Sequence, residues 1–301
     1  MNRRSLVSST LVALALPTFR SASGNQDKPG ISHSFLATGP ETRIITGDGR
    51  VLWQYPKSTR DGWVLPNGNV LLALAGKPGG VVEVTRDNAV VFEWTGTQDE
   101  VDTVQRLPDG HTLASEAGPA PRLVELDQKA QIVRQLPLSS QRENTHMQQR
   151  MSRRLENGHY LVPQLWDRVV KEYSRDGKVV WEVKTPHMPF TAIRLENGNT
   201  LIGCTWGNLV IEVDPKGSVV WQADNDNVPG KLLNDCCGVQ RLPNGNTVIT
   251  SYRAGPNKVR LTEVTRDHRV VWTYTDDRPG GIHHFQILDT RGEPLAGRPL
   301  K

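Results

Sequence analysis

The chain has 301 residues, of which 23% are charged and 37% hydrophobic, with a formal net charge of +4. That balance excludes a disordered polyelectrolyte, and no apolar run approaches the roughly 18 residues that a membrane-spanning helix needs. Three cysteines are too few for a disulfide scaffold, so stability has to come from a packed core.

Taken in chain order, Arg3-Arg4 precede the apolar run from Leu6 to Leu16, which is followed by Pro17 and the small residues Ser21-Ala22-Ser23. This is the pattern of an export signal, and the paired arginines point to the twin-arginine route. Residues 1-23 are read as a signal peptide, residues 24-32 as a short linker, and the expected location is periplasmic or secreted. Taking Arg3, Arg4 and Arg20 from the 36 basic residues leaves 33 against 32 acidic ones, so nucleic acid is not an expected partner.

From Leu65 onward one phrase recurs every 40 to 51 residues. Its turns are Leu65-Pro66-Asn67-Gly68, Leu107-Pro108-Asp109-Gly110, Leu155-Glu156-Asn157-Gly158, Leu195-Glu196-Asn197-Gly198 and Leu242-Pro243-Asn244-Gly245. Each is followed by a glutamate (Glu83, Glu125, Glu172, Glu212, Glu263) and then an aromatic close at Trp94, Trp181, Trp221 or Trp272, with Arg134 standing in once. Asn-Gly and Asp-Gly supply the positive-φ residues of tight hairpins. A second turn, such as Asp214-Pro215-Lys216-Gly217, precedes each closing strand. Hairpin plus hairpin at this period is a four-stranded propeller blade. The tryptophans are expected to pack between blades and the glutamates to bond at blade junctions, with no catalytic part for either.

At the ends, Trp53 closes a repeat whose opening half is missing, while Ile282 to Leu288 opens one that never closes. Joining residues 33-57 to 282-294 makes one composite blade and hides both sheet edges. The predicted fold is all-β: a six-bladed β-propeller of four-stranded antiparallel blades in one domain, 33-294, with its N- and C-terminal segments sharing a blade. Residues 295-301 are read as a C-terminal tail.

In such a ring the inter-blade links and the second-to-third strand turns share one face, opposite the short Asn-Gly turns. The two longest links, 139-148 and 225-236, both fall on that face, where ligand sites on rigid scaffolds gather. The residues that enter the channel there are Arg60, Asp61, Asp102, His146, Arg150, His187, Phe190, Asp235, Cys236, Cys237, His283 and His284; the adjacent turns add Glu116, Arg122, Trp166, Asp167, Arg168, Trp206, Tyr252 and Arg253. Histidine, arginine and carboxylates walled by aromatics suit a small anionic or aromatic ligand, or a protein partner at the rim. The adjacent Cys236-Cys237 leaves three readings open: a strained vicinal disulfide facing a ligand, part of a metal site with His283 or His284, or two packed thiols. No metal is assigned, because no Cys-x-x-Cys or His-x-x-x-His spacing occurs.

Arg241-Leu242-Pro243-Asn244-Gly245-Asn246-Thr247-Val248-Ile249, together with the phrase from Ile211 to Trp221, resembles the repeats of the PQQ-like propeller superfamily and, within it, the aryl-sulfate sulfotransferase-like propellers. The resemblance covers nearly all of 33-294. It implies a six-bladed exported protein in which a channel histidine takes a sulfuryl group from a phenolic sulfate and passes it to another phenol. His283, His284, His187 and His146 are the candidates here, with arginine holding the sulfate oxygens. The sandwich domain that precedes the propeller in that family is not expected here, and the blade openings at Asp61 and Asp102 carry no histidine. The leading expectation is therefore a binding or scaffold module, with sulfuryl transfer as the alternative. Asp214, Gly217 and Trp221 also match a pattern shared with quinoprotein dehydrogenases, which makes PQQ a minor possibility for a chain otherwise expected to need no cofactor.

Overall fold

The structure, a computed structural model, describes residues 30-140 and 144-301. The signal-peptide expectation for 1-23 and most of the linker lie outside the described residues. Six antiparallel sheets form the molecule, and the described residues contain one short 3-10 turn, Thr145–Met147. No helix among them is long and apolar enough to cross a membrane.

The composite blade is present. His284–Thr290 pairs antiparallel with His33–Thr38, placing Phe285 opposite Ala37, and the sheet continues through Thr42–Ile45 to Val51–Tyr55. A fifth strand, Glu293–Pro294, pairs on the inner side. Counting this as blade 1, blade 2 runs from Thr59–Val64 to Val90–Thr95, blade 3 from Glu100–Arg106 to Ile132–Pro137, and blade 4 from Arg153–Arg154 to Val179–Lys184. Blade 5 runs from Met188–Arg194 to Val219–Ala223 and blade 6 from Val239–Arg241 to Val270–Asp276.

Strand alternation sends successive residues to the two neighbouring blades. In blade 2, Leu71 and Ala73 pack with Val101, Val104 and Ala114 of blade 3, whereas Val70 and Leu72 pack with Leu36, Ile44 and Trp53 of blade 1. Each of the six blade junctions has such a buried apolar cluster. The core is thus a ring of interfaces, and a blade alone would leave both faces exposed.

The turns differ from the simplest Asn-Gly hairpin. Gly68 N–H donates to Leu65 O at 2.9 Å and Leu65 N–H to Asn69 O at 2.8 Å, which is a type I turn closed by a left-handed residue. Only the glycine takes positive φ, +86° at Gly68, while the Asn67 side chain accepts the Asn69 N–H at 3.0 Å. Proline and asparagine are suited to the αR positions of this turn, so the tetrapeptide encodes it throughout.

The closing aromatic of blade 2 also needs correction. Cross-strand register sets Glu172 opposite Trp181, Glu212 opposite Trp221 and Glu263 opposite Trp272, but it sets Glu83 opposite Phe92, not Trp94. A bulge beside each of these glutamates fixes the register that spacing alone misjudges by two residues.

Candidate functional site at the channel mouth

Each innermost strand enters the channel from the link face, and three of them carry a bulge as they do so. The extra residue is Arg60 in blade 2, Asp102 in blade 3 and Phe190 in blade 5. In blade 4 the register between the Gln149–Gln164 bridge and the Arg153–Leu161 pair likewise gains one residue, just after Arg150. With Cys237 and His283 at the openings of blades 6 and 1, this gives one residue per blade around the mouth: Arg60, Asp102, Arg150, Phe190, Cys237 and His283. A bulge re-aims its side chain, here toward neighbouring members of the set.

One half of the ring is charged. Asp102 Oδ2 lies 2.9 Å from Arg150 Nη1, and Asp102 Oδ1 lies 3.9 Å from Arg60 Nε. Glu100, from the same strand as Asp102, reaches Arg60 at 3.3 Å and Arg150 at 3.7 Å. His146, on the 3-10 turn, places Nδ1 3.1 Å from Glu100 Oε2 and 2.9 Å from Arg150 Nη2. Since arginine can only donate, Nδ1 either accepts from Arg150 or carries a proton and donates to Glu100. The other half is apolar: Phe190 and Cys237 pack with Met151, Leu165 and Met188, and Met147 and Tyr252 flank them. His283 bridges the halves, stacked on Tyr252 with centroids 4.2 Å apart and more loosely on Phe190.

Burial and charge act against each other here. Burial pulls the His283 imidazole down to about 3, helped by Arg60 and Arg150, so the ring is held neutral. Burial alone would raise Glu100, but the His146 hydrogen bond and the two arginines bring it down to about 2. For Asp102 burial wins and its pKa rises. A carboxyl that resists ionisation leaves the two guanidiniums less than fully compensated. Arg60 Nε, both Asp102 oxygens and His283 Nδ1 are buried without hydrogen-bond geometry to any described residue, although native interiors satisfy most such groups.

The remaining predicted residues are distributed around this ring. Asp235 accepts from the Trp206 N–H at 2.8 Å and pairs with Arg253 at 3.0 Å, and Arg253 lies over the Trp206 ring at 5.3 Å, forming one wall. Trp166 and Arg168 are exposed on the blade 4 turn. His187 stands apart with its ring packed over Gly207. Glu116 and Arg122 pair with each other at 2.7 Å beside Thr97. Cys236 packs in the core between blades 5 and 6, whereas Cys237 packs at the mouth. All three thiols are free, and burial raises those of Cys236 and Cys237 well above the usual range.

Asp61 and His284 belong to a deeper layer. Asp61 pairs with Arg153 at 2.8 Å and with Lys301 at 3.3 Å, and it lies 3.7 Å from His284. Arg153 and Lys301 hold the Asp61 carboxyl below the usual range in spite of burial, which also keeps His284 neutral. Sequence reasoning missed Glu100, Arg153 and Lys301. Glu100 was within reach of it, as an acid two positions before Asp102 at a blade opening. Nothing in the spacing marks Lys301.

Comparison with known proteins follows the ring architecture. A protein of unknown function from Bacteroides caccae has 22% identity and a TM-score of 0.76, covering 88% of this chain and 100% of that one. A catalytically inactive virginiamycin B lyase from Staphylococcus aureus with quinupristin gives a TM-score of 0.60 at 12% identity over 89% of this chain and 90% of that one. The WD40 β-propeller domain of Doa1 gives 0.58 at 14% identity over 88% of each chain. No protein-family model matches the sequence, and no curated protein matches it significantly. At these identities the likeness speaks for fold alone: the chain is a six-bladed β-propeller.

Proposed function

We propose that the channel mouth binds a small molecule combining a flat aromatic ring with an acidic substituent. The observation that carries this reading is the His283–Tyr252 stack next to Arg60, whose buried Nε has no hydrogen-bond partner among the described residues. A ring can extend the stack while sulfate, phosphate or carboxylate oxygens take the guanidinium donors. A thermal-shift panel tests the class. 4-Nitrophenyl sulfate, 4-nitrophenyl phosphate and 4-nitrobenzoate should each raise the melting temperature saturably, and 4-nitrobenzyl alcohol should not. Equal response to the neutral alcohol, or none to any acid, would refute it.

A second reading, sulfuryl transfer between phenols, is favoured by one observation: burial keeps His283 unprotonated, with a ring lone pair free of a proton, beside two guanidiniums that can hold sulfate oxygens. In that reaction the His283 nitrogen bonds to sulfur as the aryl oxygen leaves and takes a proton from His146. An acceptor phenol then takes the sulfuryl group and returns its proton to His146. Release of 4-nitrophenol from its sulfate should require an acceptor phenol, and His283→Ala should reduce it by several powers of ten. A loss of about tenfold or less would make His283 a lining residue only.

We further read the protein as exported. Replacing Arg3 and Arg4 with lysine should retain it in the cytoplasm, and unchanged export would point to the general secretory route.

A further inference from the structure

Residues beyond Pro294 turn back under the ring on the Asn-Gly face. Leu295 packs on the apolar cluster between blades 6 and 1, and Leu300 on that between blades 5 and 6. The tail borders a groove of about 290 Å³ lined by Leu195, Asn197, Leu242 and Pro243. Arg241 N–H donates to Leu300 O at 3.0 Å, fixing the segment just before its last side chain enters the channel.

That side chain is Lys301, and it meets a complete set of partners. An ammonium has three donors and no acceptor. The Lys301 Nζ lies 2.8 Å from Gly62 O, 3.3 Å from Asp61 Oδ1 and 3.2 Å from His284 Nδ1. Its charge stands 4.0 Å from the centroid of the Trp63 ring, in cation–π range. Arg153, already paired with Asp61, donates through Nε to the Lys301 carbonyl at 3.0 Å. The side chains of Asp61, His284 and Lys301 are wholly buried. For His284 Nδ1 to accept, the ring proton must sit on Nε2, an atom without a hydrogen-bond partner among the described residues. Three acceptors and an aromatic face thus converge on one point, so each donor of a primary ammonium is matched and none is left over.

We propose that the lower channel is a binding site for a primary alkylammonium, the end of a lysine side chain, which Lys301 of the chain's own tail occupies in cis. The site is separate from the upper mouth and does not rest on the reading given for it. Methylation of the amine would forfeit donors that these acceptors require, so the site distinguishes a primary ammonium from a quaternary one.

The test uses the full-length chain at pH 6. Lys301→Ala should lower the melting temperature by several degrees, and n-propylammonium, the fragment that the substitution removes, should restore it saturably. Wild type and Lys301→Met, in which the channel stays filled, should not respond. N,N,N-Trimethylpropylammonium and 1-propanol should not restore the alanine variant. A response of equal size in wild type, rescue by the quaternary amine, or no rescue at all would overturn the proposal. Should Lys301→Ala fail to fold, acylation of the wild-type protein decides. Lys301 should react with an N-hydroxysuccinimide ester about tenfold or more slowly than Lys178, whose side chain is 80% exposed, and it should become reactive in Trp63→Leu. Comparable rates at Lys301 and Lys178 in wild type would overturn it.

Discussion

His283 concentrates the electrostatics of the mouth in one ring. Its ordinary pKa of 6.5 falls to about 3 in the folded protein because burial and two nearby guanidiniums oppose a third positive charge. Between those values the unfolded chain binds more protons than the folded one, so stability rises with pH across the window and is lost as pH falls from 6.5 toward 3. Glu100, held down to about 2, adds a loss of the same sign that begins near its ordinary 4.5. The interval from 6.5 to 4.5 therefore reads His283 together with His284, which burial also holds neutral, and only a His283 variant separates the two. His283→Phe, which keeps a ring over Tyr252, should flatten the urea-derived stability curve there by roughly 1–2 kcal/mol. An unchanged slope would mean that this imidazole titrates normally. Histidines, arginines and acids at the blade openings were legible from position alone. Their partition into a mouth layer and a deeper layer was not, because single-residue bulges decide which side chains face one another.

At the scale of the element, the repeated glutamates form a joint between blades. Glu172 pairs with Arg194 of the next blade at 2.7 Å, and Glu212 with Arg241 at 2.9 Å, while each arginine lies over the tryptophan opposite the glutamate. Glu83, Phe92 and Arg106 repeat the arrangement. The Trp181 and Trp221 indoles donate to Pro215 O and Arg266 O of the following blades, both at 2.9 Å. The sequence shows the glutamate and the aromatic as separate periodic signals; only stacked neighbours join them to the arginines that precede four of the five turns, Arg106, Arg154, Arg194 and Arg241. Removing one partner leaves the other charge buried and unpaired, so Glu212→Ala should cost about 3 kcal/mol in equilibrium unfolding. Glu212→Ala combined with Arg241→Ala should cost less than the sum of the single changes. Strict additivity would deny the joint.

The whole molecule depends on its seam. The split repeat was readable because each terminal half lacks what the other supplies, and the pairing of His33–Thr38 with His284–Thr290 completes it. A chain ending at Pro279 loses that partner strand, exposes an inner edge between two apolar interfaces, and should elute as aggregate in size-exclusion chromatography. A folded monomer would contradict this account of closure. The tail was not legible in the same way, since residues 295-301 carry no repeat signal and their position depends on an already closed ring.

The mouth is where the ring presents its divided set of side chains, and isothermal titration of 4-nitrophenyl sulfate into the wild-type protein and Arg60→Ala tests its reading most directly. The account predicts saturable one-to-one binding to wild type and affinity weaker by at least about tenfold, or about 1.4 kcal/mol, in the variant. Equal affinity for both proteins, or no heat of binding to wild type at millimolar ligand, would contradict it.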